Sequence, residues 1–228
     1  MEVKEYFDSG YDKLMSERYS EAMADFNKVI ELDKSYERAY VHRAYCKGKL
    51  KDYEGALEDY KAALSLNPDD PMTYHNTGCL IYFMDKETKD TYYLQKALEL
   101  GVDDELAYYV RGMIYNNKEA YQLAINDFTI LIEKDSSLID SCYYQRALCY
   151  LNLYNQEKAI EDLNKSIELD SQNSNAYSWR ALCYELKEEY DNAISDYKKA
   201  LELGDKEAEE HITICKQKQI EQTTITSK

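Results

Sequence analysis

A tyrosine recurs along this chain at a nearly constant spacing, and this spacing restricts the fold more than any other feature. The intervals between successive occurrences are 34, 34, 34, 35 and 34 residues. The six residues are Tyr6, Tyr40, Tyr74, Tyr108, Tyr143 and Tyr177. Repetition at this period is typical of stacked supersecondary units, each of which buries apolar surface only against its neighbours. We therefore predict an elongated array with a long binding surface instead of one globular core with a catalytic cleft.

The repeats align as residues 3–36, 37–70, 71–104, 105–139, 140–173 and 174–207. Position 8 of each repeat is small, and its occupants are Gly10, Ala44, Gly78, Gly112, Ala147 and Ala181. Apolar residues at positions 20, 24, 27 and 28 form one helical stripe, and positions 4, 8 and 11 or 12 form another. Each repeat therefore predicts two amphipathic helices with a turn near positions 15–17. A small residue at position 8 allows two helix backbones to approach closely, with large residues on either side.

These positions resemble the tetratricopeptide repeat family over residues 3–207. The resemblance depends on tyrosine at positions 4 and 17, Gly or Ala at position 8, Ala at position 20, an aromatic residue or Leu at position 24, and Pro68 at position 32. It implies an all-α right-handed superhelix, or solenoid, of about six repeats, whose concave face binds other proteins. Residues 208–220 resemble a lone first helix and predict a capping helix, and residues 221–228 predict a frayed tail.

The net charge of −16 and the isoelectric point of about 4.7 disfavour nucleic acids and anionic membranes as partners. A basic or apolar protein segment suits this charge, although solubility alone also accounts for it. The N-terminal residues show neither a signal peptide nor a membrane span. Six cysteines without zinc-site spacing predict small buried thiols in a reducing compartment. We therefore expect a cytoplasmic protein.

The third repeat departs from the others at the start of its second helix. Asp90 replaces the small alanine of position 20, and Glu87 stands where four other repeats have tyrosine. Burying a carboxylate without a partner would lower the stability of the fold by several kcal/mol. We therefore predict that Asp90 caps a second helix that begins late. The divergence is either a degenerate repeat without a role or a softer joint near residues 85–92.

Arginine at position 7 occurs together with aspartate at position 23 in four repeats. The pairs are Arg43 with Asp59, Arg111 with Asp127, Arg146 with Asp162, and Arg180 with Asp196. The third repeat has neither residue at these positions. We predict Arg–carboxylate bonds between helices, within one repeat or between neighbours, which would make these arginines structural.

The remaining face of the first helices is mostly neutral, aromatic and rich in amides. We predict that the following residues line a peptide-binding concave face: Phe7, Tyr11, Arg38, His42, Tyr45, His75, Asn76, Tyr109, Met113, Tyr144, Gln145 and Trp179. Aromatic rings supply contact area and amides bond a peptide backbone. Alternatively, these residues pack against each other or against a second copy. In the subfamily that clamps acidic chaperone termini, lysine, asparagine and arginine occupy matching positions. Here those positions hold Phe7, Tyr11, His42, Met72 and Asn76, which argues against that role.

No catalytic motif or phosphate-binding glycine loop is present in the sequence, so we expect no enzyme and no cofactor. His42 and His75 lie 33 residues apart, close to one repeat, but beyond Cys79 no further metal ligand is evident. We therefore expect no metal site. The sequence favours an adaptor that binds a peptide or protein segment, and a self-associating homo-oligomeric scaffold is the alternative.

Overall fold

A computed structural model describes residues 2–226, with side chains as far as Gln222. Over this range the chain is all-α, and it divides into two compact units that meet between Asn117 and Lys118. Unit 1 contains α1 (Glu2–Met15), α2 (Tyr19–Leu32), α3 (Glu37–Lys49), α4 (Tyr53–Leu66), α5 (Pro71–Met84), α6 (Tyr92–Glu99) and α7 (Glu105–Asn117). Unit 2 contains α8 (Tyr121–Glu133), α9 (Ile139–Asn152), α10 (Gln156–Leu169), α11 (Ser174–Leu186), α12 (Tyr190–Glu202) and α13 (Ala208–Thr226).

Within each unit, consecutive helices pack as pairs and each pair packs on the next. In unit 1 the pairs are α1 with α2, α3 with α4, and α5 with α6, and α7 packs on the last of them. In unit 2, α8 packs on the pair α9–α10, which is followed by the pair α11–α12 and then by α13. The predicted all-α helix pairs are confirmed. None of the helices in the described range is long and apolar enough to cross a bilayer.

The small residue of position 8 receives the large residue of position 24 from the second helix of the same pair. A Cβ atom on Gly10 would lie 2.9 Å from the Phe26 ring, and one on Gly78 would lie 2.5 Å from Leu94 Cγ. Phe26 and Leu94 are both fully buried. These contacts leave no space for a larger group, so the close approach predicted from the sequence determines how each pair packs.

Three of the four predicted arginine–aspartate pairs are confirmed, each within one repeat. Arg180 donates from Nε and Nη2 to the two carboxylate oxygens of Asp196, both at 2.7 Å, and Arg43 and Arg146 bond Asp59 and Asp162 in the same way. The third nitrogen of each arginine reaches the second helix of the preceding repeat. Its acceptors are Asn27 for Arg43, Thr129 for Arg146 and Asn164 for Arg180. The fourth pair, Arg111 with Asp127, stays a prediction.

The late start of the second helix in repeat three is also confirmed. α6 begins at Tyr92, whose backbone N–H donates to Asp90 Oδ1 at 2.9 Å, so the carboxylate lies at a helix start and not in the core. Asn117 of α7 holds the loop between α5 and α6 by donating from Nδ2 to the carbonyl oxygens of Lys86 at 2.6 Å and Thr88 at 3.3 Å. The loop therefore has an anchor within unit 1.

Polar side chains cap the starts of several helices. Asp70 caps α5 ahead of Pro71, and its side chain accepts from the Thr73 N–H at 2.9 Å. Asn173 caps α11, and its side chain accepts from the Ala176 N–H at 3.2 Å. α13 continues to Thr226, beyond the predicted end at 220. Of the predicted tail 221–228, residues 227 and 228 lie outside the described range.

All six cysteines are free and buried, as the sequence predicts. Burial raises the pKa of the thiols of Cys79 and Cys149 to about 12, because a thiolate would lose its hydration there. These thiols therefore remain protonated at neutral pH and act as small apolar groups in the core.

Replacing Arg180 by Met should destabilise unit 2. The carboxylate of Asp196 would stay buried without its cation, and breaking such a pair costs about 3 kcal/mol. Urea denaturation followed by circular dichroism measures the loss. As a control, Arg18→Met breaks an exposed pair with Glu21 and should destabilise the chain much less than Arg180→Met does. Equal losses in the two variants would contradict a structural role for Arg180.

Replacing Lys51 by Gly should stabilise the chain by up to about 1 kcal/mol. Lys51 lies in the turn between α3 and α4 with φ of 66°, in the left-handed region that a side chain disfavours. Lys61→Gly, in the exposed middle of α4, should instead cost about 1 kcal/mol. Thermal unfolding compares the two variants, and a lower midpoint for Lys51→Gly would show that the turn conformation is not strained.

Candidate functional site

Two adjoining cavities lie on the first helices of unit 1. One has a volume of about 480 Å³ between α1, α2, α3 and α5, and the other has a volume of about 340 Å³ between α3, α4, α5 and α7. Tyr45 and Asn76 line both cavities, so the two are adjacent, and we call them together the unit 1 groove. Its further lining includes Tyr11, Met15, Tyr19, Val41, His42, Lys49, Tyr53, Tyr60, Met72, His75, Phe83 and Leu106.

The rim of the unit 1 groove consists of exposed apolar side chains. Tyr11 and Tyr45 are each about two-fifths exposed, and Met72 and Phe83 are about half exposed. Aromatic and methionine side chains give large contact areas on binding, because the rings are rigid and the thioether adapts to irregular shapes. The groove therefore offers the kind of surface on which peptide side chains are buried.

Polar groups of the groove lie at its floor and at one edge. The Tyr60 side chain is only 4% exposed, and its hydroxyl group makes no hydrogen bond within the described residues, although it lines the 340 Å³ cavity. Lys49 Nζ lies 5.2 Å from the centre of the Tyr45 ring, and its hydrogen bond with Tyr45 raises the pKa of the lysine. Together with the amide of Asn76, these groups could orient a bound backbone or a polar side chain.

His42 forms part of an aromatic cluster beneath the groove. Its ring centre lies 5.5 Å from that of Phe7, 5.4 Å from that of Tyr11 and 5.6 Å from that of Phe26. Burial among these rings, with a smaller effect of the Arg38 charge, lowers the pKa of His42 to about 4. The imidazole is therefore neutral at physiological pH and contributes packing instead of charge.

His75 is buried, and its ring contacts one residue of α5 and one residue just before α7. Its Nε2 lies 3.3 Å from Asp104 Oδ1 and 3.5 Å from Cys79 Sγ, whereas its Nδ1 has no partner within the described residues. Over that same range, no three His, Cys, Asp or Glu side chains are arranged to hold a metal ion. His75 thus joins α5 to the residues just before α7 and closes one end of the groove.

The other residues of unit 1 that were predicted to line the concave face differ in their burial. Phe7 lies in the core at 5% exposure, with the Arg38 guanidinium 4.9 Å above its ring, because position 5 of the first repeat faces Phe26 and Tyr36. The expectation that Phe7 lines an open surface is therefore wrong. Tyr109 and Met113 are half-buried on α7, where Met113 packs on the core.

In unit 2, Tyr144 and Gln145 lie on α9 and Trp179 lies on α11. Burial raises the pKa of the Tyr144 hydroxyl. A hydrogen bond with the neighbouring Trp179 has the opposite, smaller effect. A separate cavity of about 240 Å³, which we call the Trp179 cavity, lies between α11, α12 and α13. It is lined by Asn175, Ser178, Trp179, Leu182, Tyr197, Asp205, Glu207, Ala208 and His211.

Tyr60 is the functional candidate that the sequence pattern misses. Position 24 is assigned to the core, and its other occupants include Phe26, Leu94 and Phe128. A tyrosine at this position adds a hydroxyl group that a buried ring does not need. The same substitution occurs in repeat six at Tyr197, which lines the Trp179 cavity. The signal is therefore tyrosine in place of phenylalanine at a core position.

His42 should remain neutral down to acidic pH. Its pKa is about 6.5 in an unfolded chain and about 4 here, so the unfolded state binds the extra proton first. The stability of unit 1 should therefore fall as the pH falls from 6.5 to 4, and His42→Phe should remove part of this dependence. Nuclear magnetic resonance titration of the imidazole measures the pKa directly. A midpoint near 6.5 would contradict burial of His42 among the rings.

Comparison with known proteins adds sequence and structural relatives. Models described as "Tetratricopeptide repeat" match residues 37–70, 140–173 and 174–204. The chain is 22% identical over 163 residues to anaphase-promoting complex subunit 3 of Schizosaccharomyces pombe, which covers 70% of this chain and 24% of the relative. It is 42% identical over 52 residues to the DnaJ homolog subfamily C member 7 homolog of Dictyostelium discoideum, a match that covers 23% of this chain and 10% of the relative. The chain thus spans a quarter or less of the length of these curated relatives.

Solved structures share the fold. The crystal structure of YrrB, described as a TPR protein with an unusual peptide-binding site, matches with a TM-score of 0.74 at 22% identity, over 82% of this chain and 97% of YrrB. The crystal structure of MamA matches with a TM-score of 0.68 at 27% identity, over 76% of this chain and 94% of MamA. At these identities, the YrrB match bears on the fold alone.

Proposed function

Because this chain belongs to the tetratricopeptide repeat family, whose arrays mediate protein–protein interactions, we propose that it is an adaptor that binds a segment of another protein in the unit 1 groove. The observation that carries the proposal is the adjacency of the two cavities. Tyr45 and Asn76 line both of them, so one extended segment can contact the two cavities at once. The peptide-binding site attributed to YrrB supports the same general role.

The groove suits a segment with apolar side chains at intervals. Its exposed rim is aromatic or methionine, and the tyrosine and asparagine groups between the two cavities can bond a peptide backbone. Lys49 and Glu17 contribute one charge of each sign to the lining, so the groove selects mainly by apolar contact. The proposed site thus contains five of the residues predicted from the sequence, Tyr11, His42, Tyr45, His75 and Asn76, together with Lys49 and Tyr60.

Peptide selection tests the proposal. A random peptide library displayed on phage is selected against the wild-type chain, and fluorescence polarisation then measures the affinity of the enriched peptides. Tyr45→Ala should weaken binding about thirtyfold, because loss of a central aromatic contact costs about 2 kcal/mol. Tyr154→Ala is the matched control, since Tyr154 is 84% exposed in a turn of unit 2 and should leave the affinity unchanged.

Two results would contradict the adaptor proposal. Enriched peptides that bind wild type and Tyr45→Ala equally would place binding elsewhere. Light scattering that shows a stable dimer, dissociated by Tyr45→Ala, would favour the alternative of a self-associating scaffold whose groove is occupied by a second copy.

A further inference from the structure

We propose that the Trp179 cavity of unit 2 binds an arginine side chain of a partner protein. This site is separate from the unit 1 groove and does not depend on its function. Trp179 and Ser178 of α11 form one side, Tyr197 of α12 lies beside them, and Asp205 and Glu207 lie in the turn before α13. A volume of about 240 Å³ accommodates one long side chain.

The cavity carries negative charge that the described part of the chain does not neutralise. Asp205 accepts hydrogen bonds from the Ser178 hydroxyl and from the Glu207 backbone N–H at 3.1 Å, and both donors are uncharged. Across the described residues, no lysine or arginine forms an ion pair with Asp205 or Glu207. Asp162 and Asp196 of unit 2, by contrast, pair with Arg146 and Arg180. A cationic ligand would supply the missing charge.

Capping of α13 explains only part of this arrangement. Acidic residues near a helix start are favoured by the helix dipole, and Asp205 bonds a backbone N–H there. Glu207 bonds no backbone N–H in the described residues, yet its side chain lines the cavity. One carboxylate therefore has a structural role, and the other is available to a ligand.

The aromatic wall favours arginine over lysine. Trp179 is 37% exposed and stacks on no ring within the described residues, whereas Tyr197 is already stacked on His211 at 4.9 Å between ring centres. A planar guanidinium can lie on the indole face and donate two N–H groups to a carboxylate at the same time. An ammonium group can make only one of these contacts well. The net charge of −16 adds a general attraction for a basic partner.

Trp179 is the only tryptophan in the sequence, so its indole N–H gives a single resonance from a residue that lines this cavity. The probe is the capped peptide acetyl-Gly-Arg-Gly-amide, titrated into the full-length chain and followed by nuclear magnetic resonance. We expect a saturable shift of the indole signal. The matched peptide with citrulline, which has the same shape without the charge, should produce no saturable shift. No shift with the arginine peptide, or equal shifts with both, would overturn the proposal.

Charge-neutral variants test the carboxylates. Asp205→Asn combined with Glu207→Gln keeps the shape and the capping ability, and should lower the affinity for the arginine peptide about tenfold. Glu210→Gln removes one charge from the same helix start without touching the cavity, and should change the affinity less than about twofold. Equal losses of affinity in both variants would show that general surface charge attracts the peptide, and would overturn the assigned site. A lysine peptide that binds as tightly as the arginine peptide would overturn the guanidinium preference.

Discussion

The contact between a small residue on one helix and a large residue on its partner determines how each pair packs. Gly10 lies against Phe26 and Gly78 lies against Leu94, at distances that leave no room for a larger group. Each pair buries one side of its helices in this way and leaves the other side for its neighbours. Because no repeat can complete a core alone, stability accumulates by adding neighbours. The rest of the structure builds on this local packing.

The position-7 arginines connect neighbouring pairs. Arg180 bonds the second helix of its own repeat through Asp196 and the second helix of the preceding repeat through Asn164, so one guanidinium joins three helices. The ring of Tyr177, at the recurring tyrosine position, lies 5.5 Å from the same guanidinium. Removing one partner of such a buried pair leaves an uncompensated charge, which is costly. These arginines therefore link helices of successive repeats.

Two cavities coincide with repeats that depart from the shared pattern. Tyrosine replaces phenylalanine or leucine at position 24 in repeats two and six, and each of these tyrosines lines a cavity, Tyr60 in unit 1 and Tyr197 in unit 2. The two cavities differ in chemistry. The first has a lysine and neutral donors, whereas the second has two carboxylates beside a tryptophan. The same fold thus presents different chemical groups at different repeats, because the packing positions tolerate these changes.

The sequence alone determined the helix pairs, the small positions, three arginine–aspartate pairs and the late start of α6. These features depend on the identity and spacing of residues within single repeats, which can be compared from repeat to repeat along the sequence. Only the tertiary structure decided which first-helix side chains are exposed. Phe7 and Tyr11 both lie on the face predicted to be open, yet Phe7 is buried by Tyr36 and Arg38 and Tyr11 is not. Phe26 and Tyr36 of the same repeat and Arg38 of the next repeat all contact the Phe7 ring, and the spacing of residues along the first helix carries no information about these contacts.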